Sequence, residues 1–435
     1  MNQEQLKRLE IARLFHRFGF GPKPGEFAAA LSRGVSATRT RLLNLPTVDK
    51  GTSSIREPQL TDLGNFPPAG TTARAAFALE MRRQRRDLAL WWLDRMALSE
   101  NSLTERMTWF WHGHWATSIG KVEYALPMYR QNQTLRANAL GDFTLHSRTM
   151  IMDGALQYWL DGGDNTVAAP NENLAREFME LFTLGVDRYF ERDVQTVARA
   201  LTGYKVVRSN GTVTFNSKKH DSSALAFLGT EGRFNAEKLS DFIVSRDDCA
   251  QFIAERIWYR FISDTAPLPA SNRIKASFAG RDIASAIRTT AMSSAMSDPQ
   301  YSQVKSPIDW FLSVCRALGI TPSQLSKPDQ TLNFLDKLGQ IPFAPPNVGG
   351  WPAGEAWLTA GSAQYRLQFA QILLAQGDLS PIKNSPVADR VNALADLLGL
   401  SLWSPRSESA LNGATNDPAR LFLLGVLSPE YLVSL

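Results

Sequence analysis

Apolar residues recur at the three-to-four-residue spacing of a helix through almost the whole chain and give way to strict alternation only once. Helices are expected over 4–45, with breaks at Gly19, Gly21, Pro22 and Pro24, and over 76–98. A further helix opens at Ser102, with Glu105 three residues on as a capping box, and runs to the Trp-His-Gly-His-Trp stretch at 111–115. The pattern continues over 126–160, 172–184 and 191–203, and then over 235–245, 247–262, 272–297, 306–319, 328–340, 362–376, 388–399 and 417–434. The exception is 204–216, where Val206 and Val207 precede Asn210–Gly211 and Val213 and Phe215 follow it, the pattern of a β-hairpin. Residues 46–75 and 340–360 are rich in turn formers and read as loops. The expected fold is therefore mainly α: one large multi-helix domain over 1–435, with a small β-hairpin near 204–216 and a long loop at 46–75.

With 44% hydrophobic and 20% charged residues in 435, the composition is that of a globular protein with a sizeable core. The formal charge of +5 is mild for this length and gives no reason to expect a nucleic-acid partner. The densest basic run, Arg82, Arg83, Arg85 and Arg86, reads as a solvated helix face. The two cysteines, Cys249 and Cys315, lie inside apolar helical patterns, so they are expected as buried free thiols. The first fifteen residues form an amphipathic helix start without an apolar h-region, so no secretory signal is expected and the chain as written reads as cytoplasmic. No run approaches the roughly 18 to 20 apolar residues of a membrane span.

The densest polar chemistry lies in Asn171–Asp193. On a helix, Leu174, Phe178, Leu181 and Phe182 fall on one side with Ala175 beside them. Asn173, Arg176, Glu177 and Glu180 fall within about 100° on the other. Asn171 is placed to cap the start and Gly185 to end the helix. Two readings of the polar face stand side by side. In one it is a solvated face with an Arg176–Glu180 pair. In the other, Glu177 and Glu180 are an acid and a base, because neighbouring carboxylates push one pKa upward.

Only five histidines occur, and two of them, His112 and His114, are one residue apart. In an extended segment both would face one way and could grip a divalent metal; on a helix they would be about 200° apart. Gly113 between them favours the extended option. His220 is the best third ligand, Glu177 or Glu180 could complete the set, and Asp221 could orient an imidazole. The Gly349–Gly350–Trp351–Pro352 turn presents an indole as either a ligand wall or a plug on the core. Dinucleotide and P-loop glycine motifs, the G-x-S-x-G elbow and H-E-x-x-H are all absent.

Several stretches together resemble one bacterial family, the domain of unknown function 1800. They are Arg17–Pro22 (RFGFGP), Glu105–Ser118 (ERMTWFWHGHWATS), Asn171–Val186 (NENLAREFMELFTLGV), Ala198–Tyr204 (ARALTGY), His220–Asp221, Phe227–Gly232 (FLGTEG), Val304–Trp310 (VKSPIDW) and Gly349–Trp357 (GGWPAGEAW). The resemblance implies bacterial origin, frequent export and gene neighbours resembling sulfatases. It also centres the candidate site on His112, His114, Asn173, Arg176, Glu177, Glu180, His220 and Asp221. The expectation is an enzyme, a metal-assisted hydrolase of an envelope polymer or other polar substrate, with Arg176 holding a polar substrate group. A metal-dependent oxidoreductase and a non-catalytic helical scaffold of the envelope are the alternatives.

Overall fold

A computed structural model describes residues 1–46 and 48–434. Helices account for 58% of residues and strands for 5%, so the mainly α expectation holds. Helix Gln3–Arg17 is separated from Glu26–Arg33 at the predicted glycines and prolines, whereas the break before Val35–Leu43 falls at Gly34, which was not expected. No helix or strand occurs among the described residues of 46–71. Among the described residues, no helix is long and apolar enough to cross a membrane.

The predicted hairpin pairs Tyr204–Val207 with Thr212–Phe215 in antiparallel register, Val206 opposite Val213. Its loop is four residues long, because Val207 pairs with Thr212. A second hairpin, Leu225–Phe227 with Thr230–Gly232, was not expected. Its tight turn places Leu228 and Gly229 both at positive φ, and a leucine there gives no turn signal. Three long predicted helical stretches are broken, the first, 126–160, into Ala125–Ala137, Phe143–Ile151 and Gly154–Trp159. Residues 272–297 resolve into Ile274–Ser277 and Ile283–Ala291 with a short 3-10 turn after them. Residues 417–434 break before Pro429, and Val433–Ser434 pairs with Gln303–Val304.

Two hydrophobic clusters fill the interior. One surrounds the central helix and the helices Phe143–Ile151, Glu191–Ala200, Ala236–Ser245 and Asp247–Phe261. The other joins Thr72–Leu98, Pro307–Ala317, Ala360–Leu374, Arg390–Leu398 and Pro418–Val426. Helix Leu103–His114 serves both: Met107, Phe110 and Trp111 enter the first and Trp109 the second.

Buried charge fixes that helix. The expected capping box does not form: Ser102 makes no side-chain cap, and Glu105 turns inward to accept from Trp92 Nε1 at 3.0 Å, Arg95 at 2.8 Å and Arg136 at 2.8 Å. Although burial opposes it, these cations hold the Glu105 carboxyl down at about 2. Next to it, Arg106 donates to Asp309 at 2.6 Å and to the carbonyls of His16 and Gly19. Asp309 also accepts from Arg260 at 3.1 Å. Removing one member strands a buried charge, so Asp309→Ala is expected to cost roughly 3–5 kcal/mol in urea unfolding, whereas exposed Glu4→Ala stays within about 0.5 kcal/mol.

Candidate functional site

The central segment is not the plain α-helix its periodicity suggested. Asn173–Glu177 is α-helical, and Phe178–Thr183 widens into a π-helical turn. Thr183 Oγ1 donates to the Phe178 carbonyl at 2.5 Å, and the N–H groups of Leu184 and Gly185 reach back to the Met179 carbonyl. The wider turn shifts the buried face, so Met179 is enclosed and Leu181 is only half-buried. Asn171 Oδ1 accepts from the Asn173 N–H, but the cap position itself falls one residue later than expected, at Glu172, whose side chain makes no cap.

On the polar face, Arg176 binds Glu191 at 2.5 Å and Glu172 at 3.1 Å, not Glu180. Glu180 accepts from the Tyr189 hydroxyl at 2.5 Å. The Glu177 carboxyl is half-buried, and burial together with the adjacent Glu180 raises its pKa. Asn173 donates to Asp161 at 3.2 Å. Asp221 accepts from Arg199 at 2.7 Å and from Ser223, which hold it at about 2. The structure thus keeps Glu177 and Glu180 one turn apart but commits Arg176, Asn173 and Asp221 to separate partners.

The imidazoles also part. The segment holding His112 and His114 is helical to His114, not extended. Their 200° separation sends one ring into each core cluster. His112 lies among Trp92, Trp109, Phe343 and Trp351, with Nε2 accepting from the Phe343 N–H at 3.2 Å. His114 lies among Phe110, Trp115, Phe182 and Phe252. His220 sits elsewhere, with Nδ1 donating to the Thr202 carbonyl at 3.0 Å. Among the described residues no three His, Cys, Asp or Glu side chains are grouped to hold a metal ion. The expected ligand set His112, His114 and His220 is therefore not assembled, and these residues do not fit a divalent metal centre.

One of these histidines borders a different site. A cavity of about 90 Å³ opens where helices Leu103–His114 and Asp247–Phe261 meet the 349–357 loop. His114, Arg256, Arg260, Asp264, Trp351 and Trp357 are among its lining residues. The loop lies against the helix because Gly350, at φ +86°, has no Cβ; one built there would stand 2.5 Å from the Gly113 carbonyl oxygen. Trp351 stacks on Trp109 with ring centres 4.9 Å apart. The turn at 349–352 is thus a wall of this cavity.

Its charges are unequally matched. Arg260 is spent on Asp309. Arg256 makes no hydrogen bond or ion pair among the described residues and lies 5.7 Å from the centre of the Tyr259 ring. Burial lowers its pKa. The Asp264 carboxyl is half-buried and raised by burial. His114 is 3% exposed, and its Nε2 donates to the Phe182 carbonyl at 2.9 Å, which leaves Nδ1 as a lone pair without a partner. Burial, with Arg256 nearby, lowers His114 to about 3.

The fold and this cavity define a mainly α-helical protein with a small, indole-walled polar pocket. The model of the family described as protein of unknown function (DUF1800) matches residues 13–433, and the chain belongs to that family. No curated protein and no solved structure matches it.

His112, His114 and His146 are all buried and lowered to about 3. In the unfolded chain each takes a proton near pH 6.5, so between about 6.5 and 3 the unfolded state binds more protons. Their contribution is intact above about pH 6.5 and is lost as pH falls toward 3. Asp153, raised to about 6 by burial, acts in the opposite sense, as do the raised carboxyls of Asp94, Glu177 and Asp264. Buried His16 and the carboxyls of Glu105 and Asp309, held low by adjacent arginines, act in the same sense as the three histidines. The urea midpoint is expected to fall steeply from pH 7 to pH 4, and His146→Phe, which removes one such group, to flatten that slope.

Proposed function

We propose that the protein binds a compact anionic group of its ligand in the cavity beside His114. The observation that carries this reading is Arg256, a half-buried guanidinium among the residues lining the cavity, with no acid partner among the described residues. Leaving a buried charge unpaired is costly, and an anion that accepts from it recovers that cost. The stacked indoles of Trp109 and Trp351 supply a flat apolar wall for the rest of the ligand. Asp264, with its raised carboxyl, is the titratable group best placed in the cavity to move a proton, so a hydrolytic step on an anionic polymer unit is consistent with the same site. Adding acetate, sulfate or phosphate to the full chain is expected to change tryptophan emission saturably. Arg256→Met should weaken the response about 10- to 100-fold, and an unchanged affinity in that variant overturns the assignment.

A second reading keeps the central helix as the catalytic element, with Glu177 and Glu180 as acid and base in hydrolysis of a glycan or ester. It is favoured by the raised Glu177 carboxyl and the π-helical turn that follows it. The commitment of Arg176 to Glu172 and Glu191 favours instead a non-catalytic scaffold for the envelope. A carboxyl titration of Glu177 by NMR separates the two. The acid–base reading expects a value above the ordinary glutamate range that drops in Glu180→Gln; an ordinary value in the unaltered chain leaves only the ion-pair role.

A further inference from the structure

Three residues lining the His114 cavity each hold a buried polar atom that no protein atom satisfies: Arg256 Nε, Trp351 Nε1 and His114 Nδ1. Unpaired buried atoms of the same kinds also occur elsewhere in the fold, at the indoles of Trp91 and Trp115 and the Nε of Arg17 and Arg366 among others. What is particular here is that three of them belong to residues lining one cavity, where an occupant can supply partners. The three do not ask for the same thing. Arg256 and Trp351 are donors and require acceptor oxygens. His114 requires the reverse. Its Nε2 faces a carbonyl, which can only accept, so Nε2 carries the ring proton. The ring stays neutral down to about pH 3. Nδ1 is therefore a lone pair fixed in place, and it can be satisfied only by an O–H or N–H.

Resting on the anion-binding reading above, we infer that the ligand presents an oxyanion together with a hydroxyl donor on the same or the adjacent atom. The oxyanion accepts from Arg256 and Trp351, and the hydroxyl donates to His114 Nδ1. A 2-hydroxy carboxylate and a singly protonated phosphate both have this pattern; acetate and sulfate have the anion without the donor. A cavity of about 90 Å³ holds a group of that size and leaves any larger body of the ligand outside, against the indole wall. The pairing also explains a selectivity that charge alone does not give. A bare oxyanion that enters leaves Nδ1 unpaired and brings a negative charge toward its lone pair.

The test compares matched probes on the full chain near pH 6: glycolate against acetate, and inorganic phosphate, largely the dihydrogen phosphate monoanion at that pH, against sulfate. Binding is read from tryptophan emission and from the ¹⁵N signal of His114 Nδ1. The expected result is at least a 3- to 10-fold preference for the hydroxyl-bearing member of one pair, the size of one hydrogen bond. The pair that discriminates tells a carboxylate source from a phosphate one. That member should also move the Nδ1 signal in the direction of an accepted hydrogen bond, with Nε2 unmoved. His114→Phe is expected to abolish the preference while keeping anion binding through Arg256. Equal affinities within both pairs with saturable binding overturn the hydroxyl inference alone, whereas no binding by any of the four overturns the anion reading beneath it. Should His114→Phe fail to fold, the probe comparison and the Nδ1 signal in the unaltered chain still decide.

Discussion

The contact between Arg106 and Asp309 fixes the geometry on which the pocket depends. The pair is buried and joins helix Leu103–His114 to helix Pro307–Ala317, and Arg106 also ties the Gly19 turn through its carbonyl. Asp309 in turn holds Arg260, which brings helix Asp247–Phe261 to the same point. Three distant segments are thus registered on one carboxylate. The desolvation of such a pair offsets much of its attraction, so its value lies in specificity: an uncompensated charge penalises any other docking of these helices. With that registry set, Gly113 and His114 at the end of one helix face Arg256 and Tyr259 on another, and the cavity lies between them.

Much of the fold was legible because the helical period is strong. Helices such as Ala236–Ser245 and Asp247–Phe261 match the expected spans to within a residue or so, since apolar spacing and capping agree there. The failures have local causes. Glu105 satisfies the capping-box pattern, yet a buried cluster of Arg95, Arg136 and Trp92 offers it stronger partners than one backbone N–H. The π-helical turn at Phe178–Thr183 is invisible to a fixed 100° projection, so Met179 was missed as a core residue. Gly113 suggested a break, but a helix enclosed by two cores tolerates a glycine because packing outweighs its propensity.

The candidate site was legible only in part. His114 and the Trp351 turn stood out by composition, and both border the cavity. Arg256 did not. In the sequence it is one of two arginines four apart, Arg256 and Arg260, on an amphipathic helix with Glu255 beside it, the ordinary look of a solvated face. What separates them is long-range: Arg260 meets Asp309, 49 residues away, while Glu255 binds Arg188, so among the described residues no acid pairs with Arg256. A missing partner is a property of the assembled fold and has no sequence signature.

The treatment of other buried arginines in this chain is what makes that missing partner informative. Arg316 donates to the carbonyls of Gly21, Ala97 and Ser99, and Arg366 to those of Trp357 and Lys305. Arg17 reaches Ile262 and Tyr301. The fold therefore has a recurrent way of satisfying an interior guanidinium, which is to aim backbone carbonyls at it. At Arg256 the neighbouring surface is instead indole, imidazole and a loop pinned by Gly350. Arg17 and Arg366 each keep an unpaired Nε yet still hold carbonyl partners, whereas Arg256 has no hydrogen bond or ion pair among the described residues. A cation left so beside a cavity is one an occupant can pair with, and the lone pair of His114 restricts which occupants can do so.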